Sequence, residues 1–243
     1  MLNANKVLLT LVLTCLSLFV QAGNEPAIEI VAPNRIDDGI AVPVNITVTG
    51  LAPGDWVKAL TLTVPSNPQP HNLVFSAKYV QPQDYYVVGA RVRMAPSASP
   101  SLEALVQTNS GASLTKKMSF PGFERGTNFS DSNSLTSTIP GMHKFPSAEI
   151  GQQKIAITPS SSGAWSEIKT IIHHPMLPKV GGASEKRLSS LDVLIGDTQA
   201  VHVDIGEAMP NDPFFSIATG RATNKAKVVW TESTGKTFEA VTQ

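Results

Sequence analysis

From Ile28 to Phe120, apolar and polar residues alternate along the chain. Val44, Ile46 and Val48 fall on one side and Asn45, Thr47 and Thr49 on the other, the period of two that a half-buried strand imposes. Leu60, Leu62 and Val64 repeat the pattern, and Val88, Ala90, Val92 and Met94 oppose Gly89, Arg91 and Arg93. Further strands are predicted at 28–32, 73–80, 102–107 and 112–120. Turn chemistry separates them at Pro53-Gly54-Asp55, Asn67-Pro68-Gln69-Pro70 and Asn109-Ser110-Gly111. So many short strands within about ninety residues predict an immunoglobulin-like sandwich.

The rhythm stops at residues 121–150, where Pro121, Gly122, Gly126, Pro140, Gly141 and Pro146 lie among serines, threonines and asparagines. That composition reads as a linker. Alternation resumes with Ile155 and Ile157, then Ile168, Thr170 and Ile172, then Leu191, Val193 and Ile195. Gly196-Asp197-Thr198-Gln199 turns the chain into Val201, Val203 and Ile205, and strands at 214–218, 226–231 and 236–241 complete a second set. The expectation is an all-β protein of two immunoglobulin-like β-sandwich domains, 23–120 and 151–243, joined by a linker. Plentiful Pro (18) and Gly (17), with no long helical period, support that class.

Residues 1–22 read as a secretory signal peptide. Lys6 is the positive n-region, Val7 to Val20 the apolar h-region, and Val20-Gln21-Ala22 the small-residue cleavage site. The apolar run is shorter than the ~20 residues that span a bilayer, so a retained membrane anchor is disfavoured and no membrane insertion is expected after cleavage. Lipoprotein processing at Cys15 is disfavoured too, because it would cut after Thr14 and halve the h-region. The expected location is a bacterial-type periplasm. Cys15 is the single cysteine of the sequence, so the mature protein would carry no thiol. Charge is balanced, with 19 basic and 19 acidic residues and no basic patch, which argues against a nucleic-acid partner.

Two groups of segments carry a family resemblance. Ile168-Lys169-Thr170-Ile171-Ile172-His173-His174-Pro175-Met176, Asn211-Asp212-Pro213-Phe214-Phe215-Ser216 and Val228-Val229-Trp230-Thr231 resemble SoxZ, the scaffold subunit of the SoxYZ sulfur-carrier complex. The stretch at 43–50, Asn67 to Pro70, Ala90 to Ala95 and the last strand ending at Phe120 resemble SoxY. The resemblance implies a fused SoxY–SoxZ-like chain. A SoxY arm of the form Gly-Gly-Cys-Gly-Gly carries sulfur on its thiolate, and here the corresponding stretch is Pro121-Gly122-Phe123-Glu124-Arg125-Gly126. No side chain in it can hold a persulfide, and the arm would be tied at both ends. Fusions of this kind resemble the quinoprotein dehydrogenase-associated SoxYZ-like carriers. That implies an accessory role beside a pyrroloquinoline-quinone (PQQ) dependent dehydrogenase or its cytochrome in the periplasm. The alternative is a regulatory or structural partner of thiosulfate-oxidising (Sox) enzymes.

Gly122, Phe123, Glu124, Arg125 and Gly126 are the candidate partner-binding residues, with Phe123 as an aromatic anchor on a glycine-flanked loop. The opposing reading is a linker whose phenylalanine folds back on its own sandwich. His173-His174 invites a metal, but neighbours on a strand point to opposite faces, and His71, His143 and His202 add no ligand spacing. Asp37-Asp38-Gly39 reads as a turn, and Ser160 to Gly163 lacks the frame of a nucleophile elbow. Trp56, Trp165 and Trp230 could form sugar platforms, though Trp230 lies in an alternating strand and reads as core. No catalytic residue, cofactor or metal site is expected. An unrecognised hydrolase is the remaining and weakest alternative.

Overall fold

The computed structural model describes residues 25–36, 39–68, 71–122, 149–176 and 186–242, and those residues are all β. The expected signal segment lies outside them, as does the expected linker from 123 to 148. Seven strands precede that segment: β1 (Ala27–Val31), β2 (Val42–Thr49), β3 (Val57–Thr63), β4 (Leu73–Tyr79), β5 (Tyr86–Val92), β6 (Ser101–Thr108) and β7 (Ser113–Ser119). Seven follow it: β8 (Gln153–Pro159), β9 (Ser166–Ile172), β10 (Leu188–Ile195), β11 (Thr198–Ile205), β12 (Phe214–Thr219), β13 (Lys227–Glu232) and β14 (Thr237–Val241).

The alternation turns into burial as expected. Val44, Ile46 and Val48 of β2, Leu60 and Leu62 of β3, and Val88, Ala90 and Val92 of β5 are buried, while Asn45 and Thr47 keep partial exposure. Removing a leucine or phenylalanine side chain of this kind from water stabilises the fold by about 1.5–3 kcal/mol. The β10–β11 hairpin closes tighter than its sequence suggests. Ile195 pairs with Thr198, leaving Gly196-Asp197 as the whole turn, with Gly196 at φ 62°.

Each half forms an immunoglobulin-like sandwich of three strands facing four. The first half contributes β1-β2-β5 and β4-β3-β6-β7, the second β12-β9-β8 and β14-β13-β10-β11. The structure adds a feature that alternation alone does not predict: both sheets run on from one half into the other. β5 pairs antiparallel with β12 and β4 with β11, giving one sheet of six strands and one of eight. β12 holds the same place in its half as β5, and β11 the same place as β4. Antiparallel pairing of equivalent strands relates the halves by a pseudo-two-fold axis, the self-complementary arrangement of a symmetric dimer within one chain. The shared core crosses the seam. Phe75 of β4 meets Phe215 of β12 edge-on at 5.5 Å, and Phe215 lies 6.0 Å from Trp230 of β13.

Three glycines let the halves approach this closely. A Cβ on Gly206, just past β11, would stand 2.1 Å from the Leu73 carbonyl oxygen. One on Gly89 would stand 2.2 Å from Asn45 Oδ1 and 3.2 Å from Ser216 Cβ, and one on Gly220 2.7 Å from Gln83 Cα. At Gly206 and Gly220 the atom in the way is backbone, so hydrogen is the side chain that fits; at Gly89 it is the end of the Asn45 side chain.

Candidate functional site

The two most distinctive stretches of the second half form one clip. The Asp212 carboxylate accepts from the His174 backbone N–H at 3.0 Å and pairs with His173 Nδ1 at 2.9 Å. Asn211 Oδ1 accepts from the Met176 N–H at 2.9 Å, and the Asp212 N–H donates to the His174 carbonyl at 3.0 Å. Asp212 takes a left-handed backbone (φ 52°), which its short polar side chain tolerates. The segments at 173–176 and 211–213 are thereby laced together, and Met176 and Asn211 are carried to the junction of the halves.

At that junction lies a cleft of about 660 Å³, within the usual range for small-molecule sites, which favour interfaces of this kind. Asn67 builds its first-half wall. Its Nδ2 donates to the carbonyls of His71 (3.1 Å) and Arg93 (3.0 Å), and its Oδ1 accepts from the Ala95 N–H at 2.8 Å. The backbone of Arg93 and Met94 is clamped further, by hydrogen bonds of 2.7 Å to the carbonyls of Ala208 and Gly39. Glu207, Asn211, Met176 and Arg187 form the second-half wall. The Arg187 Nη1–H donates to the Ile205 carbonyl at 3.0 Å, and His71 Nδ1 pairs with the Glu207 carboxylate.

Two arginines of one strand register end in contrasting settings. Burial pushes the Arg91 guanidinium below its ordinary value, and the Asp212 charge counters that; Arg91 also lies 5.6 Å over the Phe214 ring. Arg93 is likewise pushed down by burial, with nothing to counter it. Its side-chain contact is a long one, Nη2 to Asn211 Oδ1 at 3.5 Å, and it has no carboxylate partner among the described residues.

Of the residues expected to bind a partner, Gly122 is described, and Phe123, Glu124, Arg125 and Gly126 lie outside the described residues. Gly122 is exposed and runs against Ala98, whose carbonyl oxygen a Cβ would meet at 2.8 Å. His173 and His174 part company. His173 pairs with Asp212, whereas His174 is fully buried between the Pro175 carbonyl (2.8 Å) and Glu232 Oε1 (2.9 Å). His202 bridges Asp192 and Asp204 at 2.6 and 3.2 Å, and His143, Asp37 and Asp38 lie outside the described residues. The Ser160 hydroxyl accepts from the Trp165 N–H at 3.2 Å and so serves its own turn. Trp230 is core, as read from its strand; Trp165 instead packs on Tyr85 across the seam at 5.2 Å. Of the cleft residues, Arg187 and Glu207 were not singled out by sequence, and Arg93, His71 and Asn211 were named there but not as parts of one site. The available signal was the pair Arg91 and Arg93 in outward positions of an otherwise apolar strand.

Residues 19–119 match the family described as Sulfur oxidation protein SoxY. The first half of the chain is SoxY-like. The SoxY-like half contains β1 to β7 and supplies the Asn67, His71 and Arg93 wall of the cleft. No curated protein matches the sequence. Among solved structures, a marsupial T cell receptor aligns over 90% of this chain and 95% of its own, at 6% identity and a TM-score of 0.28. A β-glycosidase from Bacteroides vulgatus aligns over 90% of this chain and 25% of its own, at 10% identity and a TM-score of 0.24. Scores that low carry no argument about function.

Proposed function

We propose that this protein is a non-catalytic, SoxYZ-like accessory protein of the periplasm that binds partners without carrying sulfur covalently. One observation carries the reading: a chain whose first half is SoxY-like has no cysteine after Cys15. A persulfide or thiosulfonate link needs a thiolate, and no other side chain replaces it. The fused sheets support the accessory half of the reading, because they make one rigid platform of what the resemblance describes as two subunits. The partner we infer is a PQQ-dependent dehydrogenase or its cytochrome, met through the 122–126 segment and the cleft between the halves. The SoxY match favours a second reading, in which the protein docks on Sox enzymes as a thiol-free mimic of the carrier.

Crosslinked capture of the tagged mature protein from native periplasm, read by mass spectrometry, separates the two. Recovery of a PQQ dehydrogenase or its cytochrome is the expected result, and Phe123→Ala is expected to reduce that recovery without lowering thermal stability. Recovery of sulfur-oxidising enzymes transfers the protein to the second reading. Turnover of a substrate by the purified chain would refute the non-catalytic assignment.

A further inference from the structure

The pseudo-two-fold axis gives the seam two equivalent ends, and the two ends are built differently. At one, Tyr79 and Tyr86 meet edge-on at 5.0 Å, Tyr85 lies on Trp165, and Gly220 closes on Gln83. Aromatic rings fill that end. At the other, beyond Val92 of β5 and Ile205 of β11, the open cleft remains. The pairing of the halves does not require an open end, since the same pairing is packed shut at its counterpart.

The chemistry of the open end has a direction. Among the described residues Glu207 is the carboxylate that lines it, and His71 already engages that carboxylate, so Arg93 faces the cleft without a counter-charge there. Arg93 presents five N–H donors and spends them on one long contact to Asn211. A half-buried guanidinium without a counter-charge is costly, and an anion that forks onto it offsets the cost. Arg91, two residues earlier, has Phe214 and Asp212 for that purpose; Arg93 has neither a ring nor a carboxylate against it among the described residues. Met94 and Met176, both buried, line the same cleft with Ile40. Methionines adapt to irregular apolar groups.

We infer that the cleft binds a small organic anion, with a carboxylate-type head on Arg93 and a short apolar body against Met94 and Met176. This deepens the accessory reading by giving its cleft a ligand class. Calorimetric titration of the full chain with hexanoate, and with sulfate at matched ionic strength, tests it at low salt, where charge is least screened. Hexanoate is expected to saturate one site, and sulfate to bind at least about tenfold more weakly, because it forgoes the apolar contacts. Arg93→Gln is expected to weaken hexanoate about tenfold or more by removing a charge-assisted fork. Glu207→Gln is expected to tighten it by about threefold by removing the nearby like charge, a gain that misfolding cannot mimic. No saturable hexanoate binding, sulfate binding as tightly as hexanoate, or affinity unchanged in both variants overturns the inference. The titration involves no partner protein, so its failure leaves the capture experiment to judge the accessory reading, and the reverse holds.

Discussion

His174 and Glu232 show how one residue pair ties the stretch at 173–176 into the fold. A carbonyl can only accept, so Nδ1 of His174 donates to Pro175, which leaves Nε2 to face the Glu232 carboxylate at 2.9 Å. Glu232 is held below its ordinary carboxylate value chiefly by the Thr234 hydroxyl, with His174 adding to the effect and burial opposing it. A carboxylate depressed in the folded state contributes stability above its unfolded value, here near 4.5, and loses it as pH falls through the lower folded value. Glu232→Gln keeps a hydrogen-bonding amide opposite His174 but loses the charge. The variant is expected to be less stable than the parent by about 1–3 kcal/mol at pH 7. The gap should shrink as pH falls below about 4, where the parent loses what the variant never had. Urea midpoints measured at both pH values check this; a constant gap would contradict it.

At the scale of elements, the strands were legible and their neighbours were not. Period two tells which face a residue occupies, and Val44, Ile46, Val48, Val88, Ala90 and Val92 are buried accordingly. It does not say which strand lies alongside. β12 is buried along its whole length, Phe214 and Ser216 as well as Phe215 and Ile217. That double burial marks a central strand, yet in the sequence it reads only as a short apolar run. Arg93 and Arg187 reach one cleft only because β5 meets β12 and β4 meets β11, a long-range pairing that no local pattern encodes. The glycines at the seam were the nearest sequence trace, but Gly89 reads only as the polar-side position of its strand, and Gly206 and Gly220 carry no local signal of a close approach. Gly206 gives the sharpest test. Its N–H donates to the Val74 carbonyl at 2.8 Å while its Cα faces the Leu73 carbonyl, so any Cβ must push the β4 and β11 ends apart. Gly206→Ala is expected to cost about 3 kcal/mol by overpacking against backbone. Gly196→Ala, at a hairpin tip with nothing within 4 Å, should cost about 1 kcal/mol from its left-handed φ alone. Equal urea midpoints for the two variants would show that the seam yields easily.

For the molecule as a whole, the pseudo-two-fold axis decides how it should unfold. Two sandwiches joined only by a tether would melt separately, each with its own core and edges. Here each half, taken alone, would expose the unpaired edges of two strands, β4 and β5 in one and β11 and β12 in the other, the kind of edge that templates aggregation. The aromatic run from Phe75 through Phe215 to Trp230 then makes the cores interdependent, because Phe215 packs on both halves at once. Calorimetry is expected to show a single transition whose calorimetric and van't Hoff enthalpies agree. Phe215→Ala deletes the ring at the centre of the seam, a change that costs about 3–5 kcal/mol in a well-packed core. For a chain of this size that lowers Tm by roughly 10 °C. The shifted endotherm should remain one peak if the seam belongs to a common core. Two peaks in the parent, or a second peak split off by Phe215→Ala, would show that the halves are thermodynamically separate sandwiches that merely share hydrogen bonds along β4–β11 and β5–β12.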